Sequence, residues 1–279
     1  METTDLQKTG LCPYKDLYIY YFEGCLTGKN NITDSSFIGN WEESGSTFLF
    51  FSKSSDEVVE NLLSLNPQMI LIDNYNMTYD QWQGDTVTSF CRGGFYITPP
   101  WEKDENSYNN KIHITLDPGI VFGTGTHPTT NGCLDALEIA FDMNKIDAVI
   151  DLGTGTGLLA LAAAALGSSK VIAVDFNFLA AKTAEKNIGL NHFNDKILAL
   201  CGKAEDMILC PADLVVANIH YDVMKDLITP ENLAGKKMLI LSGLFRSQAK
   251  DIARKLSLCN VQIIKEWSHK DTWYTFLAS

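Results

Sequence analysis

Asp151-Leu-Gly-Thr-Gly-Thr-Gly157 follows the apolar run Ala148-Val-Ile-Asp151 and leads into the leucine- and alanine-rich stretch Leu158 to Leu166. A strand that passes into a helix through three glycines can turn sharply and bring its backbone close to a ligand. The spacing is G-x-G-x-G after an acidic residue. Counted from Gly153, a dinucleotide fingerprint of the form G-x-G-x-x-G would need its third glycine at Leu158, so the pattern disfavours a nicotinamide site.

Toward the C-terminus, apolar runs and helical stretches alternate. Strands are expected at Val171 to Val174, Ile197 to Leu200, Leu214 to Ala217 and Met238 to Leu241. Their near-continuous apolar character suits strands covered by helices on both faces. Helices are expected at Leu179 to Ile188, Val223 to Leu227 and Gln248 to Leu256, with Gly167 and Gly189 as helix stops. The pattern is that of a doubly wound α/β sheet. It breaks at the end, where Val261 to Ile264 and Trp273 to Leu277 follow without a helix between them and read as an antiparallel hairpin at the sheet edge.

Asp175 closes the second strand of this series. In such a sheet a carboxylate there can accept both ribose hydroxyls of an adenosine; a solvated strand end is the alternative. Glu205 or Asp206, just past the third strand, could meet an adenine amino group or simply form a surface turn. Asn218 follows the fourth strand at the carboxyl edge, where ligands bind in this architecture. An asparagine there either serves a ligand or turns the chain.

Toward the N-terminus the texture changes. Leu17 to Phe22, Ser46 to Phe51 and Met69 to Ile72 read as strands, and Ser54 or Ser55 caps a helix carrying Val58, Val59, Leu62 and Leu63. The expected order is β-β-α-β, with Gly24 to Asn40 as a loop. The strand Phe95 to Thr98 ends at Pro99-Pro100, and the polar stretch Glu102 to Lys111 reads as a tether. The expected organisation is a small α+β domain over 1–88, a linker over 89–111 and the catalytic domain over 112–279.

Composition bounds the function. The net charge of −12 over 279 residues argues against a broad nucleic-acid surface, which needs Lys and Arg to neutralise phosphates. Seven cysteines with no Cys-x-x-Cys pair fit reduced thiols, not a zinc site or disulfide framework. No apolar run approaches the ~20 residues that span a bilayer, and the N-terminus lacks an apolar leader, so no membrane association and a cytoplasmic location are expected.

Together these residues resemble the class I S-adenosylmethionine-dependent methyltransferases. A longer run, Ile114-Thr-Leu-Asp-Pro-Gly-Ile-Val-Phe-Gly-Thr-Gly-Thr-His-Pro-Thr-Thr130, resembles the segment before the catalytic core of the ribosomal protein L11 methyltransferase (PrmA) family. Ala217-Asn-Ile219, Leu241-Ser-Gly-Leu244 with Gln248, Trp82 and Pro99-Pro-Trp101 also fall where that family has similar residues. The resemblance covers roughly residues 80 to 279. It implies a Rossmann-like, seven-stranded sheet with a closing hairpin, S-adenosylmethionine as cofactor, S-adenosylhomocysteine as product and no metal. It also implies a protein substrate, ribosomal protein L11 or one similar, methylated on a lysine side chain or N-terminal amine and recruited by the domain in front. On the resemblance, Asp151, Gly153, Gly155, Gly157, Asp175, Thr130 and Asn218 bind the cofactor, and Asn218 and Thr129 serve the reaction. His127 is expected to be structural. Two other functions fit the residues: the same chemistry on a small molecule or another protein, and a non-catalytic S-adenosylmethionine-binding protein.

Overall fold

A computed structural model of the chain describes residues 12–26, 32–43, 45–102, 108 and 110–279. The chain falls into two compact units, Met1–Val87 with Asn177–Leu179, and Thr88–Phe176 with Ala180–Ser279.

In the first unit, β1 (Asp16–Glu23), β2 (Phe37–Glu43), β3 (Ser46–Phe51) and β4 (Ile70–Thr78) form an antiparallel sheet in the order β2-β3-β1-β4. Helix α1 (Asp56–Leu65) precedes β4, and α2 (Tyr79–Gln83) follows it. Val59 and Leu62 of α1 pack on Tyr20, Phe22, Leu49 and Phe51, so the aromatic strands and the helix close one small core. The sequence suggests a loop across Gly24 to Asn40, yet β2 already begins at Phe37. Gly39 and Asn40 have poor strand propensity, but the hydrogen bonds of β3 and the Phe37 ring, 5.3 Å from Phe51, hold the strand in place.

The second unit opens with β5 (Phe90–Arg92), β6 (Phe95–Thr98) and β7 (Ile112–Thr115), a three-stranded sheet in chain order. The expected linker over 89–111 is corrected here. Phe95 and Ile97 are buried, Arg92 Nε donates to Asp135 Oδ1 at 2.7 Å, and Gly94 N–H donates to Glu138 Oε1 at 2.7 Å. Strands of three and four residues are too short to show a period. Residues 103–107 and 109, within the polar stretch, lie outside the described residues.

Helix α3 (Pro128–Met143) leads into the main sheet: β8 (Ala148–Leu152), α4 (Leu158–Ala165), β9 (Lys170–Asp175), α5 (Phe178–Leu190), β10 (Ile197–Cys201), α6 (Ala204–Met207), β11 (Leu214–Asn218), α7 (Tyr221–Leu227), α8 (Pro230–Leu233), β12 (Met238–Phe245), α9 (Arg246–Leu258), β13 (Ile263–His269) and β14 (Trp273–Ala278). The strand order is β10-β9-β8-β11-β12-β14-β13, parallel except for β14, which pairs antiparallel with both neighbours. The hairpin is present as expected, but its second strand lies inside, against β12, and its first forms the edge. Two apolar cores cover the sheet, one built with α3 and α4, the other with α7 and α9. Among the described residues no helix is long and apolar enough to cross a membrane.

Candidate active site

The parallel strands end on one edge, and there β8, β9, β11 and β12 present Asp151, Asp175, Asn218 and Ser242. Burial of the β8 and β9 backbones leaves the turn after β8 little freedom. Gly153 N–H and Thr154 N–H both donate to Val174 O, at 2.8 and 3.0 Å, and Gly155 N–H donates to Asp175 Oδ2 at 3.0 Å. Gly155 has φ +55, and a side chain there would bring Cβ to 2.4 Å from Phe122 O, so only glycine lets the turn nestle under the Phe122 loop.

Asp151 is fully enclosed. Its Oδ2 accepts the Thr154 hydroxyl at 2.6 Å and Ala160 N–H at 3.2 Å, while its buried Oδ1 has no partner among the described residues. Burial pushes its carboxyl up to about 7 against those two hydrogen bonds, and the charge of Asp175 adds to the rise. A buried acceptor without a donor is costly unless a ligand or water answers it, so Asp151 fits a cofactor bound at this edge.

The segment from Asp117 to Thr130 forms the other wall. Thr156 N–H donates to Phe122 O at 3.1 Å, and the Thr156 hydroxyl donates to Gly123 O at 2.6 Å. His127 caps α3: its Nδ1 accepts from Thr129 N–H at 3.4 Å and lies 2.7 Å from Thr129 Oγ1. With Nδ1 as acceptor, the ring proton sits on Nε2. Burial, and then the charge of His269, lower the His127 pKa and keep the ring neutral. Thr129 and Thr130 are both buried at the first turn of α3, and Asn218 Nδ2 lies 3.5 Å from Thr130 Oγ1.

Thus the glycine-rich turn, Asp151, Asp175, Thr129, Thr130 and Asn218 assemble on one sheet edge. Gly157, at φ +86, caps α4 and faces α5, where an added Cβ would lie 3.2 Å from Ala184; the space it saves is for helix packing. Glu205 and Asp206 sit exposed on α6. The Thr126 hydroxyl pairs with Thr124 at 3.1 Å. Tyr221 turns to α9, donating to Asp251 Oδ2 at 2.9 Å. Burial pushes the Cys133 thiol up to about 12, which leaves it inert as a nucleophile. Among the described residues no group of three His, Cys, Asp or Glu side chains could hold a metal.

Sequence reasoning missed an aromatic chain beside this edge. Phe122 lies 5.5 Å from His127, His127 lies 5.1 Å from Trp273, and Trp273 stacks on Phe245 at 4.4 Å. Phe122 and Phe245 are 53% and 46% exposed. These residues come from three distant segments, so no local motif announces them.

The sheet order and the glycine-rich turn after its first parallel strand define a class I methyltransferase fold. The family model described as ribosomal protein L11 methyltransferase (PrmA) matches residues 75–279, and the chain belongs to that family. Among similar proteins, the ribosomal protein L11 methyltransferase of Prochlorococcus marinus is 35% identical over 222 residues, covering 77% of this chain and 71% of that protein. That of Carboxydothermus hydrogenoformans is 38% identical over 188 residues, 67% of this chain and 61% of that protein. The crystal structure of a ribosomal protein L11 methylase from Lactobacillus delbrueckii subsp. bulgaricus superposes with a TM-score of 0.60 at 30% identity, covering 69% of this chain and 98% of that one. The matched part is therefore centred on the second unit.

Proposed function

We propose that this methyltransferase moves methyl groups from S-adenosylmethionine to amino groups of a protein, a ribosomal protein L11 or one similar. The observation that carries this proposal is the shared edge: Asp151, with an unanswered buried oxygen one residue before the end of β8, and Asp175, which ends β9, lie on the edge where Asn218 ends β11. Bound here, S-adenosylmethionine supplies a methyl group already activated by a cationic sulfur. Asp175 accepts from the ribose hydroxyls, and Phe176, 55% exposed directly after it, offers an apolar face to the adenine. The turn Gly153 to Gly155 and Thr130 hold the methionine end.

The protein's remaining task is alignment of an acceptor with that methyl. An amine attacks only when neutral, and an α-amine near 8 or a lysine near 10.4 is partly or mostly charged at neutral pH. Asn218 cannot act as a base, but its carbonyl oxygen can accept an amine N–H and aim the lone pair. Thr129 supports this wall through its backbone carbonyl, which accepts the Ser242 hydroxyl at 3.3 Å. The aromatic faces of Phe122, Trp273 and Phe245 suit a methylated ammonium, and a neutral His127 adds no opposing charge. As the amine nitrogen gains the methyl and the sulfur loses it, the surplus proton leaves to solvent.

The small α+β domain expected over residues 1–88 serves to recruit the protein acceptor. The net charge of −12 suits a basic protein partner better than direct nucleic-acid contact, and ribosomal substrates place the enzyme in the cytoplasm. Incubating the purified chain with methyl-labelled cofactor and a bacterial ribosomal protein L11 tests this. Label recovered as methylated lysine or N-methylated terminus supports it; label confined to small molecules, or cofactor binding without transfer, overturns it.

A further inference from the structure

Asn187 on helix α5 and Asn191, directly after its last residue, lie four residues apart, each standing in for a strand partner. Asn191 Oδ1 accepts Thr115 N–H at 2.9 Å and its Nδ2 donates to Thr115 O at 2.7 Å. Asn187 does the same for Asp117, accepting its N–H at 2.8 Å and donating to its carbonyl at 2.9 Å. The two rungs thus fix the chain as it leaves β7. Asn187 goes further. It is completely buried, and the second hydrogen of its Nδ2 donates to Thr156 O at 2.8 Å, inside the glycine-rich turn.

Thr156 lies just before Gly157, the cap of α4, so its carbonyl has no place in the helix ladder, and Ala160 N–H is a first-turn donor without a helical acceptor. Asp151 Oδ2 takes the Ala160 N–H, and Asn187 Nδ2 answers Thr156 O. Thr156 in turn holds Phe122 O and Gly123 O through its N–H and hydroxyl. One buried side chain therefore links the two walls: the cofactor-side turn with Asp151, and the acceptor-side segment at Asp117, beyond which lie Phe122 and Thr129.

We infer that Asn187 is a positioning residue that transmits cofactor occupancy of the glycine-rich turn to the Asp117–Thr126 segment. The inference rests on the proposed cofactor. Lock-in of the turn by ligand strengthens the Thr156 contacts, and the segment tightens with it; by reciprocity, a fixed segment favours the ligand. Asn191 makes the same kind of bonds without reaching the turn, and so provides the control.

The test is hydrogen exchange of the full chain, alone and with saturating S-adenosylhomocysteine, alongside calorimetric binding of the same ligand. In the unaltered protein the ligand is expected to slow exchange over 117–126 by about tenfold, within the usual range of coupling between sites. In Asn187→Ala that protection should fall below about threefold while protection of Gly153–Gly155 persists; Asn191→Ala should keep both. Thr156→Val, which loses the hydroxyl bond to Gly123 but no buried amide, should weaken protection of 122–124 and gives a second reading if Asn187→Ala does not fold. Full segment protection in Asn187→Ala, or equal loss in Asn191→Ala, overturns the inference. An absence of any binding heat in the unaltered protein overturns the cofactor assignment itself.

Discussion

Asn218 Nδ2 approaches the Thr130 hydroxyl at 3.5 Å, joining the end of β11 to the first turn of α3 across eighty-eight residues of chain. With its nitrogen so directed, the asparagine oxygen lies beside Gly243, whose missing side chain would crowd it at 3.3 Å. The acceptor oxygen is thus kept clear by a glycine on the neighbouring strand, at a backbone φ of +88.

Asn218→Ala should therefore reduce the single-turnover rate by about a hundredfold, the scale of a misaligned reacting pair. Affinity for S-adenosylhomocysteine should stay within about threefold, since the acceptor and not the adenosine loses its contact. Rate, affinity and Tm measured on one preparation decide the matter. A normal rate in a folded variant removes Asn218 from the mechanism, and a fall in Tm with both ligands weakened makes it a turn former.

Asp175→Ala should weaken S-adenosylhomocysteine by about 1.5–3 kcal/mol, the scale of hydrogen bonds to a charged group. The loss includes the bond from Gly155 N–H that shapes the turn. Titration calorimetry reads it; unchanged affinity would make Asp175 a strand end and nothing more.

Asp151 predicts a pH dependence of the cofactor-free protein. Its carboxyl titrates near 3.9 when unfolded and at about 7 in the fold, chiefly through burial. Between those values the folded chain keeps a proton that the unfolded chain has lost, so this group's contribution is full below about pH 4 and lost as pH rises through about 7. Asp151→Asn cannot ionise. The Tm of the unaltered protein relative to that variant should therefore fall between pH 5 and pH 8, and a difference independent of pH would contradict it.

Asp213 lies at the opposite, amino-terminal edge of the sheet. It accepts Asp147 N–H at 2.8 Å and Ala148 N–H at 3.0 Å and pairs with Lys237 at 2.8 Å. The Lys237 bond above all lowers its pKa to about 2. A depressed carboxyl contributes stability above its unfolded value near 3.9, lost as pH falls toward 2. Asp213→Ala should cost about 1–3 kcal/mol at neutral pH by leaving two backbone donors unmet. Denaturant titration should show that loss, with S-adenosylhomocysteine affinity unchanged; weaker binding would show that the far edge reaches the site.

Trp273→Ala removes the ring between His127 and Phe245. It should raise the KM for the protein acceptor about three- to thirtyfold, the worth of one cation–π contact, with cofactor affinity intact. Steady-state kinetics against ribosomal protein L11 would show it, and an unchanged KM would place the acceptor elsewhere.

Much of this protein is legible in its residues taken alone, wherever neighbours in the chain act together. The Asp151 to Gly157 turn, the apolar strands around it and the acid at Asp175 lie in local patterns whose period and spacing dictate backbone geometry. Ile114 to Thr130 stands out through its resemblance to the ribosomal protein L11 methyltransferase family. What only the tertiary structure decided rests on residues far apart. β2 is a strand because β3 supplies hydrogen bonds that Gly39 and Asn40 alone would not attract. Residues 90–98 are sheet because Asp135 and Glu138 hold them on α3. β14 lies inside the edge strand, paired with β12 and with Phe276 and Leu277 buried, an order that the two hairpin runs do not specify by themselves. Asn187 reads as one polar residue on a helix until the fold brings Asp117 and Thr156 to either side of it. Local propensity is written residue by residue, whereas the pairing of buried donors and acceptors exists only once distant segments share one core.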